Sequence, residues 1–536
     1  MTAALQGDAA SGSFRLAGWF DYLASAVPTS PIIWYGTIPW WANLSFHDHP
    51  PVVFLIQRIF FLFGDTTFLA LLPFVLAGVV TTYLVYLILK PTGNRVAAAG
   101  STLYAIASYA VWGSRTGYLE GIAVVFITAS LLFLMRFLEQ GKKKDFYWWV
   151  SMVALAIASK YTTLFLLPAG LILIAIYRRS LFRLRSFWLG ALLFVALLSP
   201  VIIFNGMLLA TRGHFDATLS SMVGMHPTDY ASISERGTNF NILTNASSLG
   251  ITLATNMSLP LLLLALLSCI LLIVRALRKK NTILDNVVLV TLIFMIILFC
   301  FSGAAVRFLS IFMPFFCIAI IRSAHIIVRA FPGKLMVRKI TMVVLAITAI
   351  LELGYSVNTN LVVNPTGPVA IAYAAGRQES TGFQNLENYL RQEPLHDPGD
   401  FKRPKTLLGD STTYQTAGKQ IILMDVRTDW FSRMWYVRRF DVYHRVPIIY
   451  TTDLFASYQQ SGFKGPIIAY VKATEASKVW LVVATGGGIR TDTDATYDKQ
   501  LDDLIGWVES YGVKPVVITT NDGQPAFNVY HFSFEK

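Results

Sequence analysis

Three polar clusters interrupt an otherwise apolar chain, and their residue types limit the chemistry they can do. The stretch Ser45 to Leu55, SFHDHPPVVFL, sets His47, Asp48 and His49 before Pro50-Pro51 and an apolar run. Three readings fit it: a metal site, a catalytic acid-base group, or a helix start with Asp48 and His49 ahead of a proline-initiated first turn. The second cluster, WGSRTGYLEGIAVVF at 112–126, carries Arg115 and Glu120. Charges in such a setting are costly unless they line a wet cavity or pair with each other, so function is the default reading; a pair that only anchors the helix at the interface is the alternative. The third is Lys160 in ASKYTTLF, a compact cation between two short apolar segments, where it could meet a phosphate.

The surrounding chain must hold these groups. With 54% apolar and only 14% charged residues and a mean hydropathy of +0.54, it reads as an integral membrane protein. The net charge of +13 would suit nucleic acid in a soluble protein, but here the basic residues fall where they define topology, and no nucleic-acid partner is expected. Apolar segments lie at 66–89, 97–112, 117–135, 146–159, 162–176, 187–205, 257–275, 284–301, 306–322 and 339–356. They give roughly ten spans, several of them short. Basic clusters occupy alternate loops: Lys90 and Arg95; Arg136 with Lys142 to Lys144; Arg178 to Arg185; Arg275 to Lys280; and Arg322 to Lys339. The positive-inside rule makes those loops cytoplasmic.

Outward-facing segments are then 1–65, the turns near 112–116, 159–161 and 303, the loop 206–256, and everything after about 357. Both chain ends would lie outside. The opening residues MTAALQGDAASG have no charged region followed by an apolar one, so a further span is expected upstream of Met1, the alternative being a short N-terminus translocated unaided. Residues 51–64, PVVFLIQRIFFLFG, are too short for a comfortable span and fit a juxtamembrane helix at the outer surface. The expected organisation is a first outer loop over 1–65, a transmembrane domain over 66–356, and an extracytoplasmic α/β domain over 357–536. In the last, strand-like runs at 420–424, 446–450, 478–484 and 514–520 alternate with helical patterns at 384–391 and 497–511. At roughly 170 residues it is large enough for its own core. Cys269, Cys300 and Cys317 all fall in predicted spans, so this domain relies on packing without disulfides.

At this point the chain resembles the polyprenyl-phosphate-sugar-dependent glycosyltransferases of the C-type membrane fold, the group of the protein O-mannosyltransferases and the bacterial aminoarabinose transferases of lipid A. Three motifs carry the resemblance in order: His49-Pro50-Pro51 opening a juxtamembrane helix; Ser114, Arg115 and Glu120 before an aromatic-rich helix; and Ser159, Lys160 and Tyr161 followed by Leu164 and Phe165. The likeness covers roughly residues 20–356; the C-terminal domain matches only by its position outside the membrane. It implies a lipid-phosphate sugar donor, an acceptor hydroxyl on a glycan, lipid or protein, inversion at the anomeric carbon, and a groove for the prenyl tail among the spans.

Such a transfer needs a carboxylate to take the acceptor proton and cations to stabilise the leaving phosphate. The resemblance implies a catalytic acid in the first outer loop, often Asp-Glu; here the nearest candidate is Asp21 in GWFDYLASA, followed by Tyr22. That departure leaves Asp48 as the second choice of base, Asp21 as an ordinary helix-start residue, or a base upstream of Met1. Glu120 joins the candidate catalytic carboxylates. Lys160, Arg115 and Arg307, the last in GAAVRFLS, would hold the donor phosphate, with His47, His49 and Tyr161 as positioning groups. No cofactor is specified. His47, Asp48 and His49 are ordinary divalent-metal ligand types, but i, i+2 spacing in an irregular segment does not define a site, and His214, Asp216, His226 and Asp229 add no convincing spacing.

Two other function classes compete. A transporter or flippase of a lipid-linked sugar would also carry many spans and intramembrane charge, and a membrane scaffold would explain the outer domain. Clustering of Asp21, Arg115, Glu120 and Lys160 around one cavity would separate an enzyme from a scaffold. Gly486-Gly487-Gly488 after the strand at 478–484 lacks the spacing of a dinucleotide site and reads as a loop. The sequons at Asn43 and Asn245 decide nothing by themselves.

Overall fold

Backbone polar groups have no water to bond to within a bilayer, so long apolar segments must satisfy them internally as helices. In the computed structural model every predicted apolar segment is helical. The structure describes residues 39–45, 49–64, 66–225, 227, 241–362, 382–392, 420–428, 446, 448–456, 465, 467, 478–485 and 495–533. The chain divides into two compact units, one built mainly from residues 71–378 and the other mainly from 379–536.

The helices up to residue 360 are α1 (Val52–Phe61), α2 (Thr67–Leu89), α3 (Asn94–Ile106), α4 (Ser108–Arg115), α5 (Leu119–Gln140), α6 (Lys143–Ser159), α7 (Leu166–Tyr177), α8 (Arg185–Arg212), α9 (Ala217–Met222), α10 (Ile242–Asn256), α11 (Leu259–Leu277), α12 (Ile283–Ser302), α13 (Leu309–Ala330) and α14 (Leu335–Asn360); residues 58–70, at the end of α1 and the start of α2, group with the other unit. Among the described residues, seven helices are long and apolar enough to cross a membrane. The chain is a multi-pass membrane protein. Helix α13 is the centre of the unit: every residue from Leu309 to Ser323 is buried. By contrast α14 exposes Ile340, Val343, Ile347 and Ile350, as expected of a helix with one face towards lipid.

One predicted span is not continuous. Residues 97–112 divide into α3 and α4 at Ala107, whose φ of −60° and ψ of 127° are extended. The break is stabilised from a distant helix: the Ser108 amide donates to Glu352 Oε1 at 2.7 Å, the Ser258 hydroxyl donates to Glu352 Oε2, and Asn360 Nδ2 donates to the Ser108 carbonyl at 3.1 Å. Irregular backbone at membrane depth is tolerated where protein groups replace the lost helical partners. A second correction concerns Arg322, which was counted with a basic loop. It is 7% exposed and pairs with Asp285 at 2.9 Å, so it ties α13 to α12.

Close helix approach is achieved with glycine. Helices α5 and α6 form a hairpin at Gly141, whose φ of 70° closes α5 in a conformation glycine adopts without penalty. Arg178 donates to the last carbonyls of α5, Leu138 at 3.1 Å and Glu139 at 3.0 Å. Nearer the other end, a Cβ on Gly121 would stand 2.4 Å from the Gly113 carbonyl oxygen. Only glycine lets α4 lie so close to α5.

The other unit holds α15 (Phe383–Gln392), β1 (Gln420–Met424), β2 (Ile448–Tyr450), α16 (Thr451–Ala456), β3 (Lys478–Ala484), α17 (Ala495–Glu509), β4 (Val516–Thr519) and β5 (Pro525–Ser533). The sheet order is β2-β1-β3-β5-β4, with β1 parallel to β2 and β3, and β5 antiparallel to β3 and β4. This is a small mixed α/β sheet. Ile421, Leu423, Val479, Leu481 and Val483 alternate into a core with Leu501, Leu504 and Val508 of α17. The predicted runs at 420–424 and 478–484 coincide with β1 and β3. Strand β5 was not anticipated, because PAFNVYHFS carries a proline and only partial alternation. The Gly486-Gly487-Gly488 segment lies outside the described residues.

Candidate functional site

Three elements of the helical unit end at one place. Helix α5 begins there with Glu120 in its first turn, α6 ends there with Lys160 as C-cap, and the short helical turn Val306–Phe308 that leads into α13 supplies Arg307. An acid at a helix start and a base at a helix end both complement the helix dipoles. The geometry follows from the α5–α6 hairpin, since Gly141 lies at its opposite end.

Glu120 is the hub. Its Oε1 lies 2.7 Å from Lys160 Nζ and 3.1 Å from Arg307 Nε, while its Oε2 is buried with no hydrogen-bond partner among the described residues. Glu120 is 1% and Lys160 5% exposed; the Arg307 side chain is 35% exposed. Both cations lie against the Phe308 ring, each 5.3 Å from its centroid, a placement that favours positive charge. Among the described residues two cations thus converge on one carboxylate, and the Arg307 guanidinium is the more exposed of the two. Converging cations of this kind can bind an anion.

The Lys160 turn is fixed by its own backbone. The Lys160 amide donates to the Ala156 carbonyl at 2.9 Å, and the Thr163 hydroxyl donates to the Lys160 carbonyl at 2.9 Å. Its neighbour Tyr161 reaches a second cluster: the Tyr161 hydroxyl donates to Asp216 Oδ2, and Asn205 Nδ2 donates to the same oxygen at 3.0 Å. Asp216 also caps α9, accepting from the Leu219 amide at 2.8 Å. Burial pushes the Asp216 carboxyl up to about 6, against the opposing effect of these hydrogen bonds. From α9, Thr218 Oγ1 lies 3.2 Å from His49 Nδ1, so the His-Pro-Pro start of α1 meets this second cluster.

Of the expected site residues, the structure brings Glu120, Lys160 and Arg307 together and sets Tyr161 and His49 beside them through Asp216. Arg115 is placed differently. Its guanidinium donates to the Asn360 carbonyl, so the partners of Glu120 are Lys160 and Arg307, and Arg115 tethers α4 to α14. Asp21, His47, Asp48, His226 and Asp229 lie outside the described residues. Among the described residues no three His, Cys, Asp or Glu side chains gather as a metal site. Asn245 of the second sequon is 8% exposed and donates to the Phe301 carbonyl, so it serves packing.

Sequence reading overlooked Asn205 and Glu352 and treated Asp216 only as a potential metal ligand. The signal for the first two was available: each is a lone polar residue in an apolar helix, where polarity is costly unless used. Asp216 carried another, an acid just before ATLSSM, the pattern of an N-cap.

Residues 48–204 match the family described as dolichyl-phosphate-mannose-protein mannosyltransferase. That stretch contains Glu120 and Lys160 and all three motifs on which the sequence resemblance rests. Two Bacillus subtilis (strain 168) proteins are similar: "Putative mannosyltransferase YycA", 35% identical over 23% of this chain and 18% of its own length, and "Putative mannosyltransferase YkcB", 36% identical over 18% of this chain and 14% of its own. The matched stretches thus span less than a fifth of either relative. Among solved structures, ArnT from Cupriavidus metallidurans bound to undecaprenyl phosphate aligns at 13% identity with a TM-score of 0.48, covering 98% of this chain and 96% of that one. The archaeal oligosaccharyltransferase AglB from Archaeoglobus fulgidus, in complex with an inhibitory peptide and a dolichol-phosphate, aligns at 12% identity with a TM-score of 0.46, covering 81% and 61%.

Proposed function

We propose that this chain is a membrane glycosyltransferase that moves a monosaccharide from a polyprenyl-phosphate donor to an acceptor hydroxyl at the outer face of the cell membrane, with inversion. The observation that carries this reading is Glu120 holding Lys160 at 2.7 Å and Arg307 at 3.1 Å. A sugar phosphodiester is an anion, the kind of group that two converging cations bind. The description of the family matched over residues 48–204 supports the same donor class.

In the transfer, the acceptor oxygen bonds to the anomeric carbon as the bond from that carbon to the phosphate oxygen breaks. The electron pair stays on the phosphate, and the acceptor proton passes to a first-loop carboxylate, Asp21 or Asp48. The leaving phosphate gains charge as the bond breaks, so the ammonium of Lys160 and the guanidinium of Arg307 stabilise the transition state more than the bound donor. Glu120, rather than acting on the proton, keeps both cations aimed. The acceptor is a glycan, lipid or protein. The α/β region after residue 357 would lie outside the cytoplasm.

The test compares Lys160→Ala and Lys160→Arg in purified protein given a synthetic prenyl-phosphate sugar, after folding is checked. Loss of one charge-stabilising donor should slow transfer by roughly a hundredfold or more in Lys160→Ala. Lys160→Arg should keep a fraction, because charge survives without the compact ammonium geometry. Near wild-type turnover by Lys160→Ala would remove the phosphate role.

A further inference from the structure

The segment carrying Lys160 is held from two sides by two carboxylates. On one side Lys160 itself meets Glu120. On the other, Tyr161, 2% exposed, donates its hydroxyl to Asp216, 0% exposed. Asn205 of α8 clamps Asp216 twice: its Nδ2 donates to Asp216 Oδ2 at 3.0 Å and its Oδ1 accepts from the Asp216 amide at 2.8 Å. The same Asn205 Nδ2 lies 3.1 Å from the Tyr161 hydroxyl oxygen. Asp216 Oδ1 caps α9, and Thr218 of that helix meets His49. One carboxylate therefore joins the Lys160 turn, α8, α9 and the His-Pro-Pro segment.

We propose that Asp216 is a positioning residue for Lys160, holding Tyr161 so that the ammonium stays against Glu120 where the donor phosphate would bind; this rests on the function proposed above. Capping of α9 accounts for one oxygen of Asp216, but not for burying the other against Tyr161 and Asn205. Among the described residues Asp216 makes no ion pair, and a buried carboxylate without a cation costs free energy that a neutral side chain would avoid. Such a cost is characteristic of groups kept for function. The Asp216 node also accounts for the direction of Tyr161: consecutive residues in an extended-then-turned backbone send their side chains to opposite sides, so fixing the hydroxyl fixes where Lys160 points. Among the described residues, the titratable groups around Asp216 include Tyr161 from the turn, His214 two residues upstream, and His49 across Thr218; Asn205 faces it from α8.

The experiment uses full-length wild type, Asp216→Asn, Tyr161→Phe and the double variant in detergent or nanodiscs. Two readouts are taken: acylation of Lys160 by an amine-reactive ester, mapped by mass spectrometry against exposed Lys142 in the same molecule, and transfer kinetics with a synthetic prenyl-phosphate sugar. Each single variant should raise Lys160 acylation relative to Lys142 and lower kcat/KM for the donor roughly tenfold, the scale of one strong hydrogen bond. The loss should fall mainly on kcat, because Lys160 acts more on the transition state than on the bound donor, and the double variant should lose no more than the worse single one, because the two residues act as one unit. Variants that melt lower but keep wild-type acylation and kcat/KM in the folded fraction would overturn the positioning role, as would losses that add in full. Increased acylation in a protein that transfers no sugar would uphold the positioning and discard the function it is proposed to serve.

Discussion

Lys160 Nζ lies 2.7 Å from Glu120 Oε1, and both side chains are almost wholly withdrawn from solvent. The two residues are 40 positions apart, at the start of α5 and the end of α6, and a single hairpin brings them together. A buried pair of this kind adds little net stability, because desolvation offsets the attraction, but breaking it is expensive.

Glu120→Ala takes one buried carboxylate from both Lys160 and Arg307 and should destabilise the protein by roughly 3–5 kcal/mol. Lys160→Ala should cost less, since Glu120 keeps Arg307 at 3.1 Å. Thermal unfolding of the two variants side by side, followed by a thiol-independent probe, checks the order. Equal melting temperatures would show that Arg307 does not compensate Glu120.

Gly121→Ala would place a Cβ 2.4 Å from the Gly113 carbonyl oxygen, a backbone atom that cannot rotate away. Separation of α4 and α5 should cost roughly 1–3 kcal/mol and should displace the adjacent Glu120. The variant should therefore lose transfer activity beyond its loss of folded protein. Activity per folded molecule equal to wild type would mean that the α4 contact does not set the site.

Asp216 offers a pH signature. Its carboxyl is raised from 3.8 to about 6, so the folded state holds the proton more tightly than the unfolded chain. The stability linked to that proton is full below about pH 4 and lost as pH rises through about 6. Asparagine cannot titrate, so wild type should gain in melting temperature on Asp216→Asn as buffer pH is lowered from about 7.5 to about 5. A difference independent of pH would mean that Asp216 does not titrate in this window.

The alternation of basic loops predicts that Lys142 faces the cytoplasm and the α/β unit the exterior. A single cysteine at Asp522, an exposed loop position, should react with an impermeant thiol reagent in intact cells, in a background lacking Cys269, Cys300 and Cys317. One at Lys142 should react only after permeabilisation. The reverse pattern would put the proposed site on the cytoplasmic side.

The sequence by itself determined what depends on local composition and period. Apolar runs of sufficient length must be helical in a membrane, and charges inside them must be functional or paired, so the positions of the helices were legible, as was the need of Glu120, Lys160 and Arg307 for partners. So were β1 and β3, whose short apolar runs rich in Ile and Val need no distant partner to be recognised. What only the tertiary structure decided is pairing. Arg115 and Glu120 are five residues apart, yet Arg115 turns to the Asn360 carbonyl and Glu120 takes Lys160 and Arg307, because α14 and α13 arrive there from far along the chain. The break at Ala107 has no proline or glycine to announce it; it persists because Glu352, in another helix, receives the Ser108 amide. Asp216 likewise acquired its role only when α8 and the Tyr161 turn enclosed it. Side-chain type limits which partners are chemically acceptable, whereas the choice among them is made by whichever groups packing brings within about 3 Å.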